Sequence, residues 1–104
     1  MNNWYVVNTK PHSEFKVINY FSSKGIVSFM PKLLVTKKHA RKIEKVLRPL
    51  FPTYLFIYSN IRTNFRLINN TIGVKGILSS GDDPSSVPIE VINDLFSYVD
   101  SDGI

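Results

Sequence analysis

Arg48-Pro49-Leu50-Phe51-Pro52-Thr53-Tyr54-Leu55-Phe56-Ile57-Tyr58 puts two prolines and a dense aromatic run where a strand begins. Each proline removes a backbone donor, so residues 49–52 read as a sheet edge or bend and residues 54–58 as the strand they feed. Strand neighbours point to opposite faces, so Tyr54 and Phe56 share one face while Leu55 and Ile57 share the other. At most half of the run can therefore serve a partner. Phe51, beside the interrupted ladder, either closes the core from outside or waits on the surface.

Working outward, residues 4–9 form a β-rich run that Pro11 breaks. Residues 12–24 read as a helix with Ser13 as N-cap, Phe15, Ile18 and Phe21 at threes, Val17 thickening the apolar face, and Gly25 as the stop. A strand is expected over 28–36, with Pro31 marking an edge or bulge, then a basic turn over 37–42 and a strand over 43–47. The pair makes a hairpin with a charged tip. Past the central strand, Asn60 is an N-cap candidate, and Ile61, Phe65, Ile68 and Ile72 recur at helical spacing, with Gly73 ending that helix. Phe65 lies on this stripe and reads as core. A short strand over 74–78, a loop over 79–86 and a helix opened by Pro88, with Ile92, Leu95, Phe96 and Val99 on one face, complete the chain. The order β-α-β-β-β-α-β-α and the hairpin predict an α+β fold: an antiparallel sheet of about four to five strands flanked by helices.

The chain has 104 residues, enough for a single domain with one core. It contains no Cys, which excludes disulfides, thiolate metal sites and a thiol nucleophile. The histidines, His12 and His39, have no carboxylate or second His at ligand spacing. Asp82-Asp83 in a Ser/Gly/Pro stretch is turn chemistry, and the glycines are too scattered for a phosphate-binding loop. No catalytic constellation, metal or cofactor is expected. With no signal-like or membrane-spanning stretch, the cytoplasm is the expected location.

Charge is the more telling property. All 13 Lys and Arg lie between Lys10 and Lys75, opposed there only by Glu14 and Glu44. Asp82, Asp83, Glu90, Asp94, Asp100 and Asp102 lie beyond, with no cation among them. A basic body of this kind suits a polyanion or an acidic protein surface. Lys16, Tyr20 and Lys24 recur every four residues along one helix face, with Ser23 beside them, and cations beside an aromatic suit a single nucleic-acid strand. The basic hairpin from Lys37 to Lys45 would add nonspecific attraction to DNA.

Several motifs, in order, carry a resemblance. Trp4-Tyr5-Val6-Val7-Asn8-Thr9-Lys10, then Met30-Pro31, the basic hairpin, Pro49-Leu50-Phe51-Pro52-Thr53-Tyr54-Leu55-Phe56-Ile57, Ile72-Gly73-Val74 and Val87-Pro88-Ile89 together resemble the N-terminal domain of NusG-type transcription elongation factors. The similarity runs from about residue 3 to residue 100. The Leu-Phe-Pro-Thr-Tyr-Leu-Phe version is most similar to the specialised antitermination paralogue RfaH; housekeeping NusG commonly has Gly at the position of Thr53.

The resemblance implies a monomer that binds RNA polymerase, bridges the DNA channel and suppresses pausing and termination. Carried over, Val6, Phe51, Pro52, Tyr54 and Phe56 would grip the clamp helices of the largest subunit. The stretch aligned with the gate-loop contact of the second-largest subunit is Asn64-Phe65-Arg66, which lacks the family's His. RfaH-like reading of the non-template strand would fall to Lys10, Lys16, Tyr20, Ser23, Lys24, Asn69, Asn70 and Thr71. The family usually continues into a KOW barrel, whereas this chain stops at Ile104, so one NusG-like domain over 1–104 without that barrel is expected. An alternative that needs no polymerase is a free-standing module for single-stranded nucleic acid.

Overall fold

In the computed structural model, which describes residues 1–97, the expected α+β fold is present. The elements are β1 (Asn3–Thr9), α1 (Glu14–Ser23), β2 (Val27–Phe29), β3 (Lys32–His39), β4 (Lys42–Pro49), β5 (Tyr54–Ser59), α2 (Ile61–Asn69), β6 (Val74–Ile77), β7 (Ser79–Ser80), β8 (Asp83–Pro84), β9 (Ser86–Val87) and α3 (Ile89–Ser97). The central antiparallel sheet runs β2-β5-β1-β6, and β9 joins the start of β1 where β6 no longer reaches.

Register sorts the aromatic stretch by face. Tyr5 lies opposite Ile57 and Val7 opposite Leu55, and these four residues pack with Val17, Phe21 and Ile68 of α1 and α2. Leu55 and Ile57 are fully buried, which is worth about 2 kcal/mol each. On the other face Val6 lies opposite Phe56 and Trp4 opposite Tyr58, while Phe29 of β2 lies opposite Phe56. Here α3 supplies a second, smaller core: Ile92 is buried with Phe29 and Phe56, and Phe96 stacks on Phe29 with centroids 4.2 Å apart. Val99, expected on the same helix face, lies outside the described residues.

Several local expectations are corrected. The first helix starts at Glu14 rather than residue 12; Ser13 and Asn60 hold the N-cap positions of α1 and α2 as expected, though neither makes a side-chain capping bond. Val17 and Phe21, one turn apart, form the buried face of α1, and Phe15 is exposed because it points 100° or more away from them. Gly25 acts as expected: at φ +72° it closes a Schellman motif in which the Ile26 N–H donates to the Phe21 carbonyl. Gly73 does not end the second helix. That helix stops at Asn69, four residues earlier, where the Thr71 hydroxyl donates to the Leu67 carbonyl, and Ile72 leaves the helical phase to become 86% exposed. Phe65 is 38% exposed rather than core. The stretch 79–86 contains two two-residue strands and the first residue of a third where a plain loop was expected.

The largest correction concerns the hairpin. Met30-Pro31 divides the strand expected over 28–36, leaving β2 in the main sheet and sending β3 out with β4 as a separate two-stranded ribbon. Proline cannot donate to a ladder, so pairing with β5 ends there. The strands run on to His39 and resume at Lys42, and the turn is Ala40-Arg41 alone, both residues at positive φ. That is the two-residue I′ geometry, held without a glycine.

Candidate functional site

The Phe51-to-Tyr54 segment is a tight turn in which the Tyr54 N–H donates to the Phe51 carbonyl, 3.1 Å away. Pro52 presets the first central position, and Thr53 takes φ +69° at the second, the type II arrangement that favours glycine. A β-branched residue there is strained by about 1–3 kcal/mol, so the surroundings must hold it. They do so from two sides. The Thr53 carbonyl accepts the Thr9 N–H at 2.7 Å, and the Thr53 N–H donates to Glu14 Oε2 at 3.1 Å. Glu14 is itself buried at the start of α1. The turn is thereby anchored to both the sheet and the helix.

Removing this anchor should be measurable. Glu14→Ala leaves the Thr53 N–H unpaired in a partly buried site, an expected loss of about 1–3 kcal/mol in chemical denaturation, with faster amide exchange at Thr53. Unchanged exchange at Thr53 would show that the carboxylate does not hold the turn.

This anchored turn displays Phe51, 40% exposed, and begins β5 with Tyr54, 39% exposed. Pro52 is also exposed. Phe56, which shares a face with Tyr54, is only 8% exposed; it meets Phe51 edge-on at 6.5 Å and Phe29 at 6.0 Å. Val6 is half-buried against the same cluster. Of the five residues expected to form one apolar patch, Phe51, Pro52 and Tyr54 are surface, while Val6 and Phe56 lie largely beneath. Leu50 and Tyr58, exposed nearby in sequence and fold, were not singled out from sequence. Tyr58 was nevertheless legible, since it continues the Tyr54-Phe56 alternation.

A second feature lies on the opposite, helical side. Lys16 and Tyr20 of α1 meet Asn70 and Thr71 across a pocket of about 730 Å³, completed by Arg66, Leu67 and Ile72. Four of the eight residues expected to touch a nucleic-acid strand thus line one concavity. Of the others, Ser23 Oγ donates to the Tyr20 carbonyl and Lys24 Nζ stands 5.6 Å from the Tyr20 ring, so both support Tyr20. Lys10 is exposed at the end of β1, its N–H donating to the Gly73 carbonyl, and Asn69 is exposed at the end of α2; neither lines the pocket. Asn64, expected at a protein contact with Phe65 and Arg66, is tied inward, its Nδ2 donating to Ser59 Oγ at 2.7 Å. Arg66 joins the pocket instead of standing apart with that triplet. Ile72 was missed because its helical phase implies a core, whereas the helix ends before it; Leu67 lies within the helix but off the Ile61-Phe65-Ile68-Ile72 stripe.

Chemically, the pocket offers cations, an aromatic face, an amide and apolar walls, a set that suits a flat ring bearing an adjacent anion. The aromatic turn offers hydrophobic area and a phenol. Among the described residues, no helix is long and apolar enough to cross a membrane.

Residues 2–96 match the family model described as "Transcription termination factor nusG". The chain belongs to the NusG family. The fold is also that of a solved NusG from Thermotoga maritima, from work on domain interaction in that protein, with a TM-score of 0.54 and 22% identity over 86% of this chain. This NusG-family chain matches 52% of that protein, about half of its length.

Proposed function

We propose that this NusG-family domain binds RNA polymerase through the Phe51-Pro52-Tyr54 surface and acts on elongation without catalysing a reaction. The observation that carries the reading is the pair of exposed aromatics on a turn held from two sides, in a chain of this family. Rigid, half-exposed aromatics are the residues that anchor interfaces, because they bring area at little cost in conformational entropy. In this reading the turn grips the clamp helices of the largest subunit, with Val6 and Phe56 as its floor. Phe65 faces the gate loop of the second-largest subunit, while Asn64 positions the start of that helix. The bridge closes the DNA channel and suppresses pausing and termination. The Thr53-containing turn is RfaH-like.

The pocket adds the non-template strand as a partner. Lys16 and Arg66 would meet phosphates, Tyr20 would stack on a base, and Asn70 would bond its edge. Lys10, Ser23, Lys24, Asn69 and Thr71 would extend or brace that contact. The same pocket favours the second reading, a single-strand-binding module that needs no polymerase.

Two titrations of the whole chain separate these readings: core RNA polymerase by interferometry, and a labelled single-stranded oligonucleotide by anisotropy. The expected result is polymerase binding in the absence of DNA, plus a loss of roughly tenfold or more in oligonucleotide affinity on Tyr20→Ala, as for one base stack. Oligonucleotide binding with no affinity for polymerase would leave the free-standing module. An oligonucleotide affinity indifferent to Tyr20 would remove the pocket from both.

A further inference from the structure

The start of α2 opens on a second concavity, of about 590 Å³, which shares no lining residue with the aromatic turn or with the pocket beside Tyr20. Its walls include Asn3, Tyr5, Asn60, Ile61, Arg62 and Thr63. The first bond inside α2 runs from the Asn64 N–H to the Asn60 carbonyl, at 3.0 Å, so the N–H groups of Ile61, Arg62 and Thr63 have no acceptor within the helix. Asn60 holds the N-cap position without closing a side-chain bond to them, and no acid stands in the first turn. A helix start in this condition attracts an anion through its unused donors and the positive end of its dipole.

Open helix ends are common on protein surfaces, and Tyr5 sets this one apart. Tyr5 lies opposite Ile57 in the sheet, is only 6% exposed, and belongs to the core cluster against which Ile61 packs. Its hydroxyl makes no hydrogen bond among the described residues, yet the oxygen is not sealed inside the protein as the unpartnered Thr9 Oγ1 is. The concavity that its side chain lines is the one at the helix start, so the hydroxyl opens there. A buried phenol ordinarily finds a partner for its O–H. Here the partner has to come from a molecule in the concavity.

The donor set selects the kind of molecule. Three N–H groups, the Tyr5 and Thr63 hydroxyls and the Arg62 guanidinium exceed the roughly four lone-pair sites of a carboxylate and suit the oxygens of a phosphate, which the guanidinium fork also matches. The aromatic residue in the lining, Tyr5, is buried and offers no stacking face for a base. Arg62 is the single cationic side chain in the lining, too few to follow a nucleic-acid backbone. What is recognised is therefore the phosphate of a small molecule.

We infer that Tyr5 and the start of α2 form a binding site for a small phosphate, the free ion or a phosphate monoester, held by the N–H groups of residues 61–63, the Arg62 guanidinium and the Tyr5 hydroxyl. The site works independently of the aromatic turn and of the pocket beside Tyr20.

The test is amide-shift NMR of the isotope-labelled whole chain, titrated at neutral pH with potassium phosphate and, separately, with potassium chloride at equal ionic strength. The expected result is a saturable shift at residues 61–63 with phosphate alone. Tyr5→Phe, which removes one hydrogen bond to a charged group, should weaken it roughly tenfold, and Arg62→Ala by a similar factor. Because the Tyr5 hydroxyl has no partner among the described residues, Tyr5→Phe should melt with the parent, and its loss is then read in a folded chain. Lys75→Ala, which removes an exposed cation elsewhere, and Tyr20→Ala, which disables the other pocket, should both bind phosphate as the parent does. Adenosine 5′-monophosphate in the same titration separates the two sources: tighter binding than phosphate assigns a monoester, equal or weaker binding assigns the free ion, and both uphold the site. Parent-like affinity in Tyr5→Phe, an equal response to chloride, an equal loss from Lys75→Ala, or no saturable shift at residues 61–63 would overturn it.

Discussion

Tyr54→Ala is expected to weaken binding to core RNA polymerase roughly 30-fold or more while leaving the melting temperature nearly unchanged. Tyr54 stands on the sheet face away from the main core, opposite Asn8 of β1 and at the rim of the area covered by α3. With more than a third of its surface open, its truncation removes little internal packing, and surface changes of this kind usually stay within about 0.5 kcal/mol. At an interface the same ring would act as an anchor worth roughly 2 kcal/mol, which is the factor quoted above. Phe56 cannot replace it in this experiment, because it packs between Phe29 and Phe51 and its loss would damage the fold itself. Interferometry on the parent and the variant, with circular dichroism melts in parallel, supplies both numbers. Undiminished affinity with an intact fold would remove Tyr54 from the polymerase surface, and with it the proposed role of the turn.

The second large effect is one of stability. Gly73→Ala should lower the melting temperature by more than ten degrees. Gly73 is buried with φ +96°, where an L side chain is strained, and an added Cβ would stand 3.0 Å from Val17 Cγ2 and 3.2 Å from Ser13 Cβ. Val17 is fully buried in α1, so it cannot swing aside, and the helix or the 71–74 segment must move. Backbone strain and overpacking together cost about 3 kcal/mol, and a domain of this size loses about 4–8 °C per kcal/mol. Gly76→Ala is the internal comparison. Its nearest new neighbour would be Asn69 Oδ1 at 3.6 Å, an ordinary contact, and its φ is not in the left-handed range. Similar melting temperatures for the two variants would mean that the close approach of α1 to the 71–74 segment is not what makes glycine necessary.

The two glycines that read as helix stops show what local pattern can and cannot convey. Gly25 was legible as a stop because everything it does is local: a positive φ, two backbone bonds and the Phe21–Ile26 contact. Gly73 looked like the same signal, but its reason is a helix more than fifty residues earlier in the chain that presses against it. Phe15 and Phe65 have the apolar character of a stripe and remain at the surface, since a helix of nine or ten residues has only two or three turns to turn inward, and Ile72 lies beyond the end of α2. The pocket was half legible. Lys16 and Tyr20 follow from spacing on one helix, whereas Arg66, Leu67 and Ile72 join them only through the packing of α2 beside α1.

By itself, the sequence determined the α+β class, the antiparallel central strand with Leu55 and Ile57 on one face and Tyr54 and Phe56 on the other, the helix stop at Gly25, the concentration of cations before residue 76 and the membership in the NusG family that its ordered motifs carry. These are properties of alternation, turn chemistry and composition, all of which act within a few residues. The tertiary structure alone decided that α3 covers Phe56 and leaves Phe51 and Tyr54 open, that a buried Glu14 holds a strained Thr53 from 39 residues away, and that Met30-Pro31 frees the basic hairpin from the sheet. Each of these depends on which distant surface reaches a residue first, and burial is a property of that meeting rather than of the residue.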